Sequence, residues 1–288
     1  MQEVKMKVLC LQYKPEFSQK QSNINSVKKL LEQSLLDGVD IIVIPKFFTT
    51  GFPNDKQSVL DWAESIPGPT TDKLATIARE FNAYVIGGTL IEKYDGNLYE
   101  TCPVFGRKGE LMGIYRRIHI GTHHQDIGML DGIPEDIPVF KTDKGTIGIF
   151  IAYDCLFPEI PRVLALKGAE VLFWLGAVDY QKIKIYNEML NCHAFANHVY
   201  VVASNEAGPD DIGKYTFYGD SKIINPMGEI THSAGTFFNS QDFQKRMVSG
   251  DLNLEALKKW RENRKSLWKM RRPSVYSLIS QKAQPELS

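Results

Sequence analysis

The sequence predicts an α/β fold, in which a sheet is covered by helices. Short apolar runs rich in valine and isoleucine recur along the chain, and segments with helical periodicity lie between them. Continuous apolar strands are typical of sheets that are buried on both faces. Their alternation with helices is the pattern of the α/β class.

Six apolar runs predict the main strands, because each is rich in β-branched residues and bounded by polar or turn-forming residues. They are Val8–Tyr13, Asp40–Pro45, Ala83–Ile91, Thr146–Ile151, Glu170–Leu175 and Val199–Ser204. Three shorter segments punctuated by glycines predict further strands joined by turns. These are Lys222–Met227, Glu229–His232 and Met247–Asp251.

Four segments between the strands predict helices, since their apolar residues recur at spacings of three and four or a capping residue precedes them. They are Asn23–Leu36, Thr70–Phe81, Pro158–Lys167 and Ile183–Asn197. The segment Leu254–Arg272 is dense in lysine and arginine, and its composition favours a helix with a solvated face. No linker or long charge run divides the chain, so we expect one domain over residues 1–288 with a C-terminal extension from about residue 254.

The composition excludes several classes of protein. Apolar residues make up 43% and charged residues 24% of the 288 residues, which is ordinary for a globular chain. The basic and acidic residues are equal at 34 each, so the overall positive field of a general nucleic-acid binder is absent. The chain has no apolar run of membrane-spanning length and no signal-peptide pattern at its start. We therefore expect a cytoplasmic protein with neither nucleic-acid nor membrane partners.

The four cysteines are too widely spaced to suggest a disulfide framework or a zinc site. Cys10, Cys102, Cys155 and Cys192 are expected to be isolated buried thiols in a reducing compartment.

Several segments, in order along nearly the whole chain, resemble the nitrilase superfamily of carbon–nitrogen hydrolases. They are IVIPKFFTTGF at 42–52, GIYRRIHI at 113–120, GTIGIFIAYDCLFPE at 145–159, GAEVLF at 168–173, HAFANHVYVVASN at 193–205 and RRPSVY at 271–276. The resemblance implies a four-layer αββα sandwich that forms homodimers or larger assemblies. It also implies a cysteine thiolate that attacks an amide or nitrile carbon, a glutamate base, a lysine that stabilises the oxyanion, and a second, supporting glutamate.

This sequence departs from that family pattern at every one of these positions. Lys46 stands where the base is expected, Arg117 where the lysine is expected, and Ala152 where the nucleophile is expected. Counting back from Gly132, the supporting glutamate aligns with Gln125. A methyl group cannot form a thioester, and an ammonium is a poor base at neutral pH. We therefore expect the cysteine-dependent hydrolysis to be lost, which leaves open whether the protein is an enzyme.

The same positions predict a pocket for a small anion. Lys46 and Arg117 converge above Ala152 in the implied fold, and two cations without a balancing carboxylate attract negative charge. Tyr153, Asp154 and Trp174 complete the expected ligand-binding set through their positions beside the lost nucleophile. In the alternative, Lys46 turns to solvent or pairs with a nearby carboxylate of Asp154 or Glu159. No motif for a nucleotide cofactor is present, so no cofactor is expected.

Two other functions stay open from the sequence. In the first, a repurposed enzyme acts on a small C–N substrate. Either Lys46 supplies the nucleophile, its pKa lowered by the neighbouring guanidinium, or Cys155 or His124 takes over. His123, His124 and Asp126 lie in the loop that follows Arg117, and side chains of these types can bind a metal ion. Adjacent histidines on an extended chain point apart, however, so no metal is expected. In the second, the protein is a non-catalytic partner that acts through its dimer surface.

Overall fold

The structure is a computed structural model, and it describes residues 5–34, 37–210, 213–239, 245–262 and 267–281. The strands of this part of the chain are β1 Lys5–Tyr13, β2 Ile41–Ile44, β3 Tyr84–Gly87, β4 Leu90–Tyr94, β5 Asn97–Phe105, β6 Leu111–Arg116, β7 Val139–Lys141, β8 Thr146–Ile151, β9 Val171–Gly176, β10 Tyr200–Asn205, β11 Ala207–Pro209, β12 Thr216–Tyr218, β13 Lys222–Ile224, β14 Ile230–Ser233 and β15 Lys245–Asn253. The helices are α1 Lys20–Gln33, α2 Lys56–Trp62, α3 Pro69–Phe81, α4 Thr122–Asp126, α5 Glu159–Leu166, α6 Ile183–Asn197, α7 Leu254–Glu262 and α8 Leu267–Met270.

Two large sheets form the centre of the molecule. The first has the strand order β15-β1-β2-β3-β5-β4, and β6 pairs with the free edge of β5. The second has the order β14-β13-β10-β9-β8-β7. In each sheet the central strands are parallel: β1 with β2 and β3 in the first, and β8 with β9 and β10 in the second.

Alternate residues of β1 show how the layers stack. Leu9 and Leu11 pack in one apolar cluster with residues of α1 and α3. Val8 and Cys10 face the other way, into the cluster shared with β8, β9 and β10. The Cys10 Sγ lies 3.6 Å from the carbonyl oxygen of Ala203 in the opposite sheet. Because side chains alternate between faces along a strand, one strand serves both cores.

Helices α5 and α6 cover the outer face of the second sheet. Gly148 of β8 permits this contact, since a Cβ at that position would lie 3.2 Å from the Leu164 Cβ of α5. The layers are therefore helix, sheet, sheet and helix, and the predicted αββα sandwich is confirmed.

The predicted main strands and helices are all present, with one notable difference. The run Ala83–Ile91 forms β3 and β4 rather than one strand, because Gly88 adopts a φ of +64° and turns the chain. Within the predicted helical segment Leu254–Arg272, the described residues form α7 and α8, and Leu254 and Leu257 of α7 are buried in the core. Among the described residues, none of the helices is both long and apolar enough to cross a membrane.

Candidate functional site

A pocket of about 150 Å³ opens where strands of both sheets end. Lys46 lies two residues beyond β2, Arg117 directly follows β6, and Ala152 directly follows β8. All three line this pocket. The rest of its lining is Phe52, His123, His124, Tyr153, Ala177, Val178, Asp179, Lys182, Tyr186, Tyr215 and Phe217. Ligand sites in open α/β sheets typically lie at the carboxyl ends of strands, as this pocket does.

The loop that carries Lys46 is held by the turn between β3 and β4. The backbone N–H of Phe47 donates to Thr89 Oγ1 at 3.0 Å. Gly88 lets the two loops touch, because a Cβ there would lie 2.3 Å from the carbonyl oxygen of Pro45. Phe47 itself adopts a φ of +44°, a left-handed conformation that is costly for a bulky residue. The surrounding structure thus holds Lys46 in one orientation.

Arg117 reaches the pocket through the pairing of β5 with β6. Thr101 lies opposite Arg116, and the N–H of Arg117 donates to the carbonyl oxygen of Glu100 at 2.9 Å. The chain passes Arg117 again at Gly132, whose N–H donates a hydrogen bond to the carbonyl oxygen of Arg117 at 2.8 Å. This register makes Glu100 and Arg117 cross-strand neighbours.

Glu100 binds Lys46 and Arg117 together. Its Oε1 lies 2.9 Å from Lys46 Nζ and its Oε2 lies 3.0 Å from Arg117 Nη1. The exposed fractions of the three side chains are 0% for Glu100, 1% for Lys46 and 4% for Arg117. The expectation of two cations without a carboxylate is therefore wrong, and so is the alternative that Lys46 pairs with Asp154 or Glu159.

The charges of this buried cluster do not balance. One carboxylate faces an ammonium and a guanidinium, so the three groups in contact carry a net charge of +1. Burial lowers the pKa of Lys46 to about 8, Glu100 opposes that change, and Arg117 reinforces it. Burial by itself would raise the pKa of Glu100, but Lys46 and Arg117 together bring it below its usual range. The buried carboxylate of Glu206 also raises the pKa of Lys46, as the smallest of the named causes.

Several polar atoms of the cluster lack a properly directed hydrogen bond. Among the described residues, Lys46 Nζ, Glu100 Oε1 and Arg117 Nε are buried atoms without a hydrogen-bond partner. Lys46 Nζ and Glu100 Oε1 are close enough to attract each other, but they are misaligned for a hydrogen bond. Such atoms are costly to leave unsatisfied, so they favour a polar ligand in the pocket.

Ala152 lines the pocket where the family pattern has its nucleophile. It adopts a φ of +46°, and a short 3-10 segment, Ala152–Leu156, begins there. The indole N–H of Trp174 donates to the Ala152 carbonyl oxygen at 3.1 Å. The left-handed region is strained for any residue with a Cβ, and such strain is concentrated at functional sites.

His124, rather than Gln125, lies beside the two cations. Gln125 is exposed and outside the pocket lining, so the position assigned to it by counting back from Gly132 is wrong. His124 is 6% exposed, and burial, followed by Lys46 and Arg117, holds its pKa well below the usual value. Its Nε2 has no partner among the described residues. His123 also lines the pocket, because the two histidines lie on the short helix α4 and not on an extended chain.

Two residues of the expected binding set do not line the pocket. The carboxylate of Asp154 is fully buried, and it accepts hydrogen bonds from Tyr115 Oη and from the backbone N–H groups of His119 and Ile151. Trp174 packs behind Tyr186, which does line the pocket. Asp154 and Trp174 therefore shape the site from outside it.

No cysteine lines the pocket within the part of the chain that the structure describes. Cys155 is fully buried in the core, and burial raises the pKa of its thiol, which is the opposite of an activated nucleophile. The expectation that all four thiols are buried is also wrong, because Cys192 on α6 is exposed. Among the described residues, no three His, Cys, Asp or Glu side chains come close enough to hold a metal ion.

Glu100 is the functional residue that sequence reasoning missed. It lies on β5, for which no strand was predicted, although Asp95 and Gly96 before it are a strong hairpin signal. Both adopt positive φ angles, as a tight turn between antiparallel strands requires. Lys182 and Tyr215 of the pocket lining carried no recognisable signal.

The family model for carbon-nitrogen hydrolases matches residues 7–262. The chain belongs to the carbon-nitrogen hydrolase family. A curated protein similar to this family member is the omega-amidase NIT2 of Xenopus tropicalis, 31% identical over 91% of this chain and 94% of the relative. The omega-amidase NIT2 of Homo sapiens is 29% identical over the same shares of the two chains.

Solved structures of other carbon-nitrogen hydrolases share the fold. A carbon-nitrogen hydrolase from Helicobacter pylori superposes with a TM-score of 0.86 at 21% identity, covering 97% of this chain and 99% of that chain. Nit3 of Saccharomyces cerevisiae, a member of the nitrilase superfamily, superposes with a TM-score of 0.78 at 22% identity over 90% of this chain and 93% of that chain. The nitrilase-like fold expected from the motifs is thus confirmed.

Proposed function

We propose that this carbon-nitrogen hydrolase family member has lost cysteine-dependent hydrolysis and binds a small monocarboxylate in its pocket. One observation carries the proposal. The methyl group of Ala152 lines a pocket beside a buried Lys46–Glu100–Arg117 cluster whose contacting groups sum to +1.

The thiol that cysteine-dependent hydrolysis uses is absent from the lining of this pocket among the described residues, which supports the proposed loss. An alanine side chain offers no nucleophile, and the nearest thiol along the chain, that of Cys155, is buried with a raised pKa. Glu100 contacts two cations, which lower its pKa and make it a weak proton acceptor. Asp179 of the lining accepts hydrogen bonds from the backbone N–H groups of Gln181 and Thr216. Removing one member of a cooperating catalytic set typically costs several orders of magnitude in rate.

The charge of the cluster selects the class of ligand. A buried net charge is expensive, and a single carboxylate in the pocket would cancel it. It would also accept hydrogen bonds from Lys46 Nζ and Arg117 Nε, which have no hydrogen-bond partner among the described residues. The volume of about 150 Å³ is well below that of a pocket for drug-sized ligands, so the carboxylate must be small.

A second candidate function is favoured by similarity. Relatives that align over nine tenths of this chain are named omega-amidases, which supports an amidase-type activity. That function needs a nucleophile other than a cysteine of the pocket lining, and the two candidates predict opposite results in one pair of assays.

The first assay is thermal unfolding with acetate, lactate, phosphate, acetamide and butyramide. A ligand at one hundred times its dissociation constant adds about 2.7 kcal/mol to the free energy of unfolding. We expect acetate and lactate to raise Tm, and Arg117→Met to abolish that rise. Arg107→Met is the matched control, because Arg107 lies in the β5–β6 turn and pairs with Asp40 and Asp143 away from the pocket.

The second assay measures ammonia release from the two amides by the unmodified protein, and we expect none. Ammonia release above the buffer rate, abolished in Lys46→Met, would contradict the proposal and support the amidase candidate. A Tm that no carboxylate raises would contradict the binding half of the proposal.

A further inference from the structure

The Lys46 amine is placed as a nucleophile at a pocket wall. Its Nζ lies 3.6 Å from the centre of the Phe47 ring and 5.3 Å from that of Phe52, so apolar rings shield it from water. Its contact with Glu100 at 2.9 Å is misaligned for a hydrogen bond. A lysine held in a dry pocket beside another cation is the arrangement that activates an amine toward carbonyl compounds.

The neighbouring His124 can carry the protons of such a reaction. Its ring shares both phenylalanines with Lys46, since the ring centres lie 6.1 Å from Phe47 and 5.3 Å from Phe52. Both side chains line the same pocket. Because its pKa is held well below the usual value, the imidazole is neutral at pH 7, and its Nε2 has no hydrogen-bond partner among the described residues. A proton taken up from the positively charged nitrogen of the adduct is held weakly there and is readily passed on to oxygen.

The net charge of the groups around Lys46 determines what charge the carbonyl compound should carry. The contacts of Lys46 come from Glu100 on β5, with Arg117 after β6, His124 on α4 and Glu206 after β10 acting on it as well. Conversion of the amine to a protonated imine keeps the cation at this position. The contacting groups then still sum to +1, and one carboxylate on the bound compound brings the sum to zero.

We propose that Lys46 forms a reversible imine with a small oxo monocarboxylate in this pocket. The proposal rests on the proposed function, because it names the reactive subset of the carboxylates that the pocket would bind. The lone pair of the neutral amine attacks the carbonyl carbon, and the C–N bond forms as the carbonyl π bond opens. The oxygen gains two protons and leaves as water when the C–O bond breaks. Both come from the Lys46 nitrogen, one when the ammonium becomes the neutral amine and one after the C–N bond has formed. His124 carries each of them in turn to the oxygen, so the protonated imine and water form without an oxidant or reductant.

The test uses pyruvate as the probe and sodium borohydride, which reduces an imine to a stable amine. We expect intact-mass analysis to show one added reduced pyruvate and peptide mapping to place it on Lys46. Trapping should be absent in Lys46→Arg, which keeps a buried cation without a nucleophilic amine. Lys222→Arg is the matched control, because Lys222 is also buried, pairs with Asp220 and does not line the pocket.

Lactate separates this inference from the proposed function, because it carries the carboxylate without the carbonyl. If lactate and pyruvate both raise Tm but borohydride traps no adduct on Lys46, the imine is ruled out and carboxylate binding stands. If neither raises Tm and nothing is trapped, both proposals fail. Equal labelling of Lys46 and of exposed lysines would also overturn the imine.

His124→Asn should slow trapping while leaving the Tm shift with lactate intact, and an unchanged trapping rate would exclude His124 as the proton carrier.

Discussion

Arg116 and Arg117 are consecutive residues, yet they belong to two very different clusters on opposite faces of one sheet. Arg116 makes two hydrogen bonds to Glu92, from Nε to Oε2 and from Nη2 to Oε1, each 2.8 Å long. Asp136 adds a second anion at 3.4 Å, and the Thr101 hydroxyl also donates to Glu92. Every polar side-chain atom of Arg116 and Glu92 that is buried has a partner.

In the cluster of Arg117, by contrast, the cations outnumber the carboxylates. Two cations share the single carboxylate of Glu100, and buried atoms of all three groups lack hydrogen-bond partners among the described residues. A bidentate pair with complementary charge is a structural device. A buried cluster with surplus charge and orphaned donors costs stability and is suited to a ligand. The sign of the net charge and the satisfaction of hydrogen bonds, rather than residue type, thus distinguish the two arginines.

The largest expected effect comes from removing the carboxylate of each cluster. Glu100→Gln leaves two fully buried cations without their contacting anion, and breaking such a pair costs about 3–5 kcal/mol. Glu92→Gln leaves Arg116 with Asp136 and partial access to water, so we expect a smaller loss of about 1–3 kcal/mol. Urea denaturation at pH 7 measures both. A greater loss for Glu92→Gln than for Glu100→Gln would contradict the asymmetry between the clusters.

Replacing Lys46, the surplus cation, should raise the free energy of unfolding at pH 7 rather than lower it. The pKa of Lys46 falls from 10.5 to about 8 on folding, so between these pH values the unfolded chain binds a proton that the folded protein lacks. The free energy of unfolding therefore rises with pH across this window, by about 3 kcal/mol in total. Lys46→Met removes this dependence and should be more stable than the unmodified protein at pH 7.

The measurement is urea denaturation of both proteins at pH 7 and pH 10.5, where the difference should have disappeared. Lys222→Met is the control, because Lys222 is equally buried and pairs with Asp220 away from the pocket. A Lys46→Met protein that is less stable at pH 7 would show that the ion pair outweighs the burial of the ammonium.

The smallest expected effect concerns the backbone of the pocket. Ala152→Gly relieves a left-handed conformation that costs an L-residue about 1–2 kcal/mol, and part of this gain is lost to the greater freedom of the unfolded chain. We expect a slightly raised Tm. Ala177→Gly, which lines the same pocket without a positive φ, should lower Tm instead. If both variants lower Tm equally, Ala152 is not strained.

Much of the architecture could be predicted because it depends on local periodicity. Strand Thr146–Ile151 and helix Ile183–Asn197 have the predicted boundaries, and the family motifs indicated the layers correctly. Residues of the candidate site were harder to predict. His124 and Gln125 are adjacent, and only the geometry of α4 decides which of them enters the pocket.

The sequence by itself determined the fold and placed Lys46, Arg117 and Ala152 at strand ends, since apolar patterning and ordered motifs are local properties. Only the tertiary structure decided the charge of the site. Glu100 and Lys46 are distant in the chain, and it takes the register of β5 and β6 and the pairing of the strands around them to bring their charged atoms to 2.9 Å. Coulomb energy depends on such distances and on burial, and neither quantity is encoded in the neighbouring residues of the chain.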